Sequence, residues 1–394
     1  IIDNNQPFTL SYMRFNPDTY EIDLSSKVDK AIHDIGYNDL PSLEIIPSDK
    51  KHYRHRCRFA ISLEGKISYV MWENGMPSVR VQSYPLGSVY INAAMDPLLR
   101  YLEDCSTLSQ SLCAVHFLST TLGDLSITLV YGAPLPNEWK PCAEEMFTKL
   151  SQELKRLENL SCNLVGIVGR SRKIKCVIGE EDVSEELTLS DGRSLLYKQV
   201  PDGFSNPNPV VNARALSWLC EVVGSISQLS ANNEDSCDLL ELYCGNGNHT
   251  VALAGFVRRI MAVEINRSLC RAAEENLTLN GVNNATVLAC DSAKVAERIL
   301  KRRKYVDDKS GEYDFGGVLV DPPRCGLDPV TRRLISNYPD IVYVSCNPEA
   351  LGRDMKELLV THDLKKIAIF DQFAYTPHLE CAVHLSRRDT ADDR

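Results

Sequence analysis

Beyond residue 208 the chain alternates between short apolar runs and longer amphipathic stretches. The runs at 238–243, 260–263, 285–289, 316–320 and 341–344 are too short for buried helices, and each predicts a strand. Between them, 211–229, 267–280, 293–304 and 349–360 carry apolar residues at helical spacing, and Gly281 marks one helix end. Segments 366–370 and 379–385 add two late strands. Strand and helix in succession predict an α/β fold with a doubly wound, mostly parallel sheet. Such sheets bind ligands at the carboxyl ends of their strands.

The pattern upstream is different. Residues 20–35 set Ile22, Leu24, Val28 and Ile32 in a rough apolar stripe and predict a helix. Strands are expected at 66–72, 125–130, 164–168 and 195–200. Helices are expected at 97–102 and 141–157, with Pro97 and Pro141 at their first positions. The expected organisation is an α+β region over residues 1–200 and a doubly wound domain over 201–394, with no internal repeat.

Composition narrows the class. The 394 residues are 44% hydrophobic and 24% charged, ordinary for a soluble globular chain, and no apolar run approaches the length of a membrane span. The 14 cysteines are scattered from Cys57 to Cys381 without a CxxC pair, so neither structural zinc nor a cysteine-ligated cluster is expected. Scattered thiols fit a reducing, intracellular setting, the cytoplasm by default. The chain opens Ile1-Ile2-Asp3 without an initiator Met, which leaves an organellar address open. A net charge of −10 repels nucleic acid on average, so an RNA-binding face must be a local basic patch.

The most basic stretch runs from Lys50 to Phe59. Alternation on a strand puts Arg54, Arg56 and Arg58 on one face. Lys51 extends the charge, and Tyr53 or Phe59 is available to stack on a base. A solvated edge strand protected by its charges is the plainer alternative. Residues 169–175 form a second basic segment.

The chemistry gathers at the ends of the expected parallel strands. Glu241-Leu-Tyr243-Cys-Gly245-Asn-Gly247-Asn248 follows the first strand and opens a helix. Glycines there let backbone approach a ligand closely. Glu264, at the tip of the next strand, can accept from two ribose hydroxyls. That arrangement serves dinucleotides and S-adenosyl-L-methionine alike, but the spacing is G-x-G-x-x-T, without the dinucleotide fingerprint's third glycine. Asp291 reads equally as an adenine-facing acid or a helix N-cap. Asp321-Pro322-Pro323-Arg324 ends the fourth strand as a stiff loop over the crevice.

Cys346 ends the fifth strand. Cysteine is usually a small buried hydrophobe, so its neighbours must argue for more. A thiolate in that place can add to carbon 6 of a pyrimidine, which makes carbon 5 nucleophilic toward a methyl group. A base must then remove the carbon 5 proton so that the cysteine is released. Glu380, at the start of a late apolar strand, is a candidate base whose pKa burial would raise, although Glu is more often exposed.

These segments resemble the RNA uracil-5-methyltransferases. ELYCGNGN, VDPPRCGLD, YVSCNPE and FDQFAYTPHLEC match that family's signature blocks, as do HYRHRCRF and Asn137-Glu138-Trp139 upstream. The likeness is strongest to the tRNA (uracil-54-C5)-methyltransferase branch. It implies a Rossmann-like S-adenosyl-L-methionine methyltransferase sheet at the C-terminus and an N-terminal RNA-binding domain. It implies Cys346 as nucleophile and Glu380 as proton acceptor. It also implies a cofactor site lined by Tyr243, Gly245, Asn248, Glu264 and Asp321, and the T arm of tRNA as partner. The family's Phe-x-Gln-x-Asn block stands here as Phe204-Ser205-Asn206-Pro207-Asn208, with a shorter amide at Asn206. The same chemistry on rRNA, and an RNA-binding or RNA-folding module with little catalysis, remain as alternatives. A nicotinamide oxidoreductase is disfavoured by the missing glycine.

Overall fold

Two sheets organise the chain in the computed structural model, which describes residues 15–388 apart from 38–39, 74–75, 173, 202, 204, 227–228, 230–236, 303–304 and 308–310. A helix comes first, α1 (Tyr20–Ile35), then a short strand, β1 (Leu43–Ile46). The N-terminal sheet follows: β2 (Arg56–Ser62), β3 (Ser68–Glu73), β4 (Met76–Val81), β5 (Leu112–Ser119), β6 (Asp124–Tyr131), β7 (Asn163–Ser171) and β8 (Ile174–Gly179). Its seven strands lie in the order β4-β3-β2-β5-β6-β7-β8. Along β2 the residues alternate, with Cys57 and Phe59 buried and Arg56 and Arg58 on the opposite face. The helices α2 (Val89–Asp104) and α4 (Trp139–Lys155), with the one-turn α3 (Ser106–Ser109) between them, cover the Cys57 face.

The prolines sit differently from the expectation. The helix read at 97–102 begins at Val89, capped by Ser88, whose Oγ accepts from the Ile91 N–H, and Pro97 lies in its interior. Burial of Ile91, Ala94, Met95, Leu98 and Leu102 carries the helix through the proline, since packing of an apolar face outweighs local propensity. Pro141 likewise sits two residues inside a helix that starts at Trp139.

The second half opens with a hairpin, β9 (Val183–Thr188) and β10 (Ser194–Gln199). The wound domain then runs α5 (Pro209–Gly224), β11 (Asp238–Leu242), α6 (Asn248–Leu253), β12 (Ile260–Glu264), α7 (Arg267–Leu279), β13 (Ala285–Ala289) and α8 (Ser292–Arg302). A small hairpin, β14 (Tyr305–Asp307) and β15 (Gly311–Tyr313), precedes β16 (Phe315–Val320), α9 (Pro329–Ile335), β17 (Asp340–Ser345), α10 (Pro348–Leu358), β18 (His362–Phe370) and β19 (Glu380–Arg387). The sheet order is β1-β18-β19-β17-β16-β11-β12-β13. All pairs are parallel except those of β19, which runs antiparallel to both β17 and β18. Strands β11 and β12 are buried throughout, as helices on both faces require. Leu351, Met355 and Ile335 pack on one face, and Val211, Leu219 and Val251 on the other.

The expected division between residues 200 and 201 does not follow the sheets. Val28, Ala31 and Ile35 of α1 pack into the core of the C-terminal sheet, and β1 extends that sheet in register with β18, Leu43 opposite Ile367. An otherwise open edge is thereby covered. Leu187, Leu195 and Tyr197 of the β9–β10 hairpin join the core around α5. The N-terminal unit proper is the seven-stranded sheet with its helices.

Candidate active site

The site forms where β11, β12, β16 and β17 end. Because β19 is antiparallel, its first residue lies at the same edge as the last residues of its neighbours. Ser345 pairs with Cys381, so Cys346 and Glu380 occupy the next position outward on adjoining strands, and Glu380 also stands opposite Phe370 of β18. Asp321 follows Val320, which pairs with Leu242 on one side and Tyr343 on the other, and its N–H donates to the Leu242 carbonyl at 3.3 Å.

The loop after Cys346 is held on both sides. Asn347 caps α10, its Oδ1 accepting from the Glu349 N–H, while its Nδ2 donates to the Arg324 carbonyl at 2.9 Å. Ser345 Oγ both accepts from the Asn347 N–H and donates to its carbonyl. The stretch before Glu380 is pinned by α1 and by the loop that precedes β2. Lys27 of α1 donates to Asp371 and to the Phe373 carbonyl, and Tyr20 donates to Asp371 at 2.9 Å. Tyr53 donates to the Ala374 carbonyl at 3.0 Å and Tyr375 to the Lys50 carbonyl.

Electrostatics couple three side chains at this edge, Cys346, Glu380 and Asp321. Burial, and then the Asp321 charge, pushes the Glu380 carboxyl up from its ordinary 4.5 to about 8. Burial alone raises Asp321 to about 7. The Cys346 thiol is pushed up by burial first, then by Glu380 and Asp321, and Arg324 acts in the opposite direction. A base with a pKa near neutrality is suited to taking a proton from carbon. Burial and the two acids favour the neutral Cys346 thiol, and the Arg324 guanidinium is what favours the nucleophilic thiolate. Cys346 opens into a cavity of about 250 Å³, also lined by Lys27, Lys30, Arg324, Pro377 and His378.

The glycine turn lies on the same edge. Tyr243, Gly245 and Gly247 all have positive φ, at 66°, 58° and 79°. A Cβ at Gly247 would come within 3.2 Å of the Ala273 Cβ, so that glycine lets the turn seat on α7, whereas the space beside Gly245 is open. Glu264 closes the turn, Oε2 accepting from the Gly245 N–H at 3.2 Å and Oε1 from the Asn266 N–H at 2.7 Å. Each oxygen keeps a further acceptor site, which fits a ribose diol placed in that open space. Tyr243 and Asp321 stand at the adjoining ends of β11 and β16, and the turn with Glu264 fits an adenosyl cofactor. Asp291 accepts from the Lys294 N–H, the N-capping option of its two readings.

Asn248, at the start of α6, pairs its amide with Asn212 through two hydrogen bonds of 3.0 and 3.1 Å, and Asn206 donates to the same Asn212 oxygen at 2.7 Å. Asn212 was not singled out from sequence. Its signal is a polar amide on a helix whose neighbours Val211, Ala215 and Leu216 are all core. Phe204 lies outside the described residues.

The basic strand departs from expectation. Tyr53 is 2% exposed and Phe59 1%, the latter packed against Tyr69, Tyr84 and Phe117, so neither can stack on a base. Arg54 is buried, with Nε donating to the Arg56 carbonyl. Arg56 donates to Ser205 Oγ and to the Pro201 and Val200 carbonyls, tying β2 to the strap that leads into α5. Arg58 pairs in register with His116, whose imidazole burial pushes down to about 3, aided by the charges of Arg58, Arg170 and Arg56. The two basic segments of the sequence thus converge on the sheet face away from α2 and α4. Lys51 is exposed, 6.0 Å from the Phe15 ring. Among the described residues no helix is long and apolar enough to cross a membrane.

Known proteins resemble this chain over nearly its whole length. The tRNA/tmRNA (uracil-C(5))-methyltransferase of Ectopseudomonas mendocina (strain ymp) is 38% identical over 382 residues, covering 95% of this chain and 99% of its own. The protein of the same name from Azoarcus sp. (strain BH72) is 37% identical over 385 residues, covering 96% and 99%. Among solved structures, the Pyrococcus abyssi tRNA (uracil-54, C5)-methyltransferase in complex with S-adenosyl-L-homocysteine superposes with a TM-score of 0.67 at 21% identity, over 93% of this chain and 83% of that one, a likeness of fold. A family model described as tRNA (Uracil-5-)-methyltransferase matches residues 19–388, and the chain belongs to that family.

Proposed function

We propose that the protein methylates carbon 5 of a uridine in the T loop of tRNA, through a covalent adduct between Cys346 and the uracil ring. The observation that carries this reading is the placement of Cys346 and Glu380 on adjoining antiparallel strands at the ligand-binding edge of the sheet. The Cys346 thiolate bonds to carbon 6 and the ring electrons move toward carbon 5 and oxygen 4. S-adenosyl-L-methionine, when bound, supplies the methyl group that carbon 5 takes. Glu380 then removes the carbon 5 proton, the carbon–sulfur bond breaks, and the thiolate is restored.

Tyr243, Gly245, Asn248, Glu264 and Asp321 hold the cofactor in this reading. The short amide of Asn206 acts through Asn212. Substrate recognition belongs to the N-terminal sheet, where Arg58, with His116 and Arg170 beside it, and Lys51 meet RNA phosphates. Arg56 braces that face by its bonds to the strap, while Arg54 is buried beside Tyr53 and Cys57. A T-loop uridine is engaged in tertiary structure and must be flipped out to reach the cavity beside Cys346. The names of the relatives favour tRNA or tmRNA over rRNA.

The test is transfer of labelled methyl from S-adenosyl-L-methionine to total RNA, followed by mapping of the modified nucleotide. Label in 5-methyluridine of the T loop is expected. Label confined to rRNA, or none, would overturn the reading.

A further inference from the structure

Asn212 stands at a junction. It lies in the first turn of α5, is 7% exposed, and uses both its amide oxygen and its amide nitrogen. Its Oδ1 accepts from Asn206 Nδ2 at 2.7 Å and from Asn248 Nδ2 at 3.0 Å, while its Nδ2 donates to Asn248 Oδ1 at 3.1 Å. A reciprocal amide pair fixes the plane of both partners. The Asn248 amide therefore enters the glycine turn with one N–H spent on Asn212 and one left for an acceptor. The turn's backbone is fixed separately, by Tyr197 donating to the Asn248 carbonyl and by Asn276 donating to the Asn246 carbonyl.

The other arm of the junction leads to the RNA-facing unit. Asn206 belongs to a strap whose Ser205 accepts from Arg56 and whose Pro207 carbonyl accepts from the His55 N–H, both beside β2. The strap's far end is held by Asn208, which caps α5 and donates to Ser48 Oγ. A path thus runs from β2 by hydrogen bond to Ser205, along the chain to Asn206, and by hydrogen bonds through Asn212 to Asn248. Apolar contacts alone would hold α5 in place. What the three amides add is a directional link between two sites that must be filled together.

We infer that Asn212 is a positioning residue for Asn248, and that its second bond, to Asn206, makes cofactor binding and RNA binding mutually dependent. This rests on the reading above, in which Asn248 contacts the cofactor. With the cofactor product S-adenosyl-L-homocysteine in place, the Asn248 amide is held, Asn212 is held with it, and the strap settles in the geometry that β2 presents to RNA. By linkage the RNA tightens the product to the same degree.

The test measures S-adenosyl-L-homocysteine affinity by calorimetry, with and without a T-arm hairpin RNA, for the wild type, Asn212→Leu, Asn212→Asp and Asn206→Ala. RNA is expected to tighten binding about fivefold or more in the wild type, the lower end of usual couplings. Asn212→Leu is expected to weaken S-adenosyl-L-homocysteine about tenfold and to abolish that enhancement. Asn212→Asp still accepts from both donors and is expected to lose less. Asn206→Ala, which keeps the Asn212–Asn248 pair, is expected to reduce the enhancement more than the affinity, and it tests the link even where the Asn212 variants do not fold. A melting temperature near the wild type's accompanies the predicted result. Affinity within twofold of wild type in Asn212→Leu overturns the positioning role. An enhancement unchanged in Asn206→Ala overturns the coupling. A wild type that binds no S-adenosyl-L-homocysteine condemns the cofactor reading instead.

Discussion

Cys346 and Glu380 lie at the same edge of the sheet because one strand, β19, runs against its neighbours, and the pair Ser345–Cys381 leaves each of them one step beyond the β17–β19 pairing. An all-parallel sheet would put the start of that strand at the opposite edge. In the proposed mechanism this antiparallel insertion brings the proton acceptor to the nucleophile, and Asp321, just past the end of β16, adds a third buried titratable group. Four expectations follow from the arrangement.

Replacing Glu380 with Gln keeps size and hydrogen bonding but removes the base. Attack and methylation should proceed while elimination stalls, so an RNA–protein adduct should build up on a denaturing gel. Recovery of free enzyme and normal product at the wild-type rate would remove Glu380 from its role.

The raised carboxyl of Glu380 gives pH a definite sign. With a folded value of about 8, its ionised fraction grows about tenfold per unit below that point, so breakdown of preformed adduct, followed after a pH jump, should quicken between pH 6 and 8. Stability runs the other way. The folded state holds a proton that the unfolded chain releases near 4.5, so this group's contribution declines as pH rises from there through about 8. The melting temperature of Glu380→Gln relative to wild type should therefore climb from pH 5 to pH 8.5. A difference that is flat over that range would contradict the assignment.

Arg324 is the cation that opposes the burial and the two carboxylates around Cys346. Arg324→Ala should raise the thiol's pKa further and slow adduct formation at pH 7.5, with the deficit shrinking as pH rises. A rate loss that is independent of pH would assign Arg324 to RNA binding alone.

Lys27 and Asp371 form a buried pair, their side chains 10% and 1% exposed, and Asp371 also accepts from Tyr20. Lys27→Met should leave the Asp371 charge poorly compensated and cost about 3 kcal/mol in urea unfolding, typical of breaking a buried pair from one side. Because the segment that this pair anchors leads to Glu380, the proton-removal step should slow as well. A stability loss under about 0.5 kcal/mol would show the pair to behave like an exposed one.

Much of the fold can be read from periodicity, and the exceptions have physical causes. The stripe of Val28 and Ile32 marks α1 to the residue, and the apolar runs place β11, β12, β13, β16 and β17. Periodicity says nothing of which sheet a helix joins, so the crossing of α1 and β1 into the C-terminal half was not visible. Nor was the interior position of Pro97, which rests on burial of the residues around it. At the site, Cys346 and Asp321 are marked by strand ends and Gly245 by its turn, because those are local features. The direction of β19, the burial of Tyr53 against Ala374, and the Asn206–Asn212–Asn248 junction depend on contacts between distant segments.

The central claim is that Cys346 is the nucleophile, and the most direct measurement traps it. A T-arm hairpin carrying 5-fluorouridine at the target offers Glu380 no proton to remove, so turnover should stop with RNA, methyl group and protein joined. Mass spectrometry of the digested adduct should place the bond on Cys346, and Cys346→Ala should form none. A bond on the exposed neighbour Cys325, or no adduct from an enzyme that methylates ordinary uridine, would contradict the account.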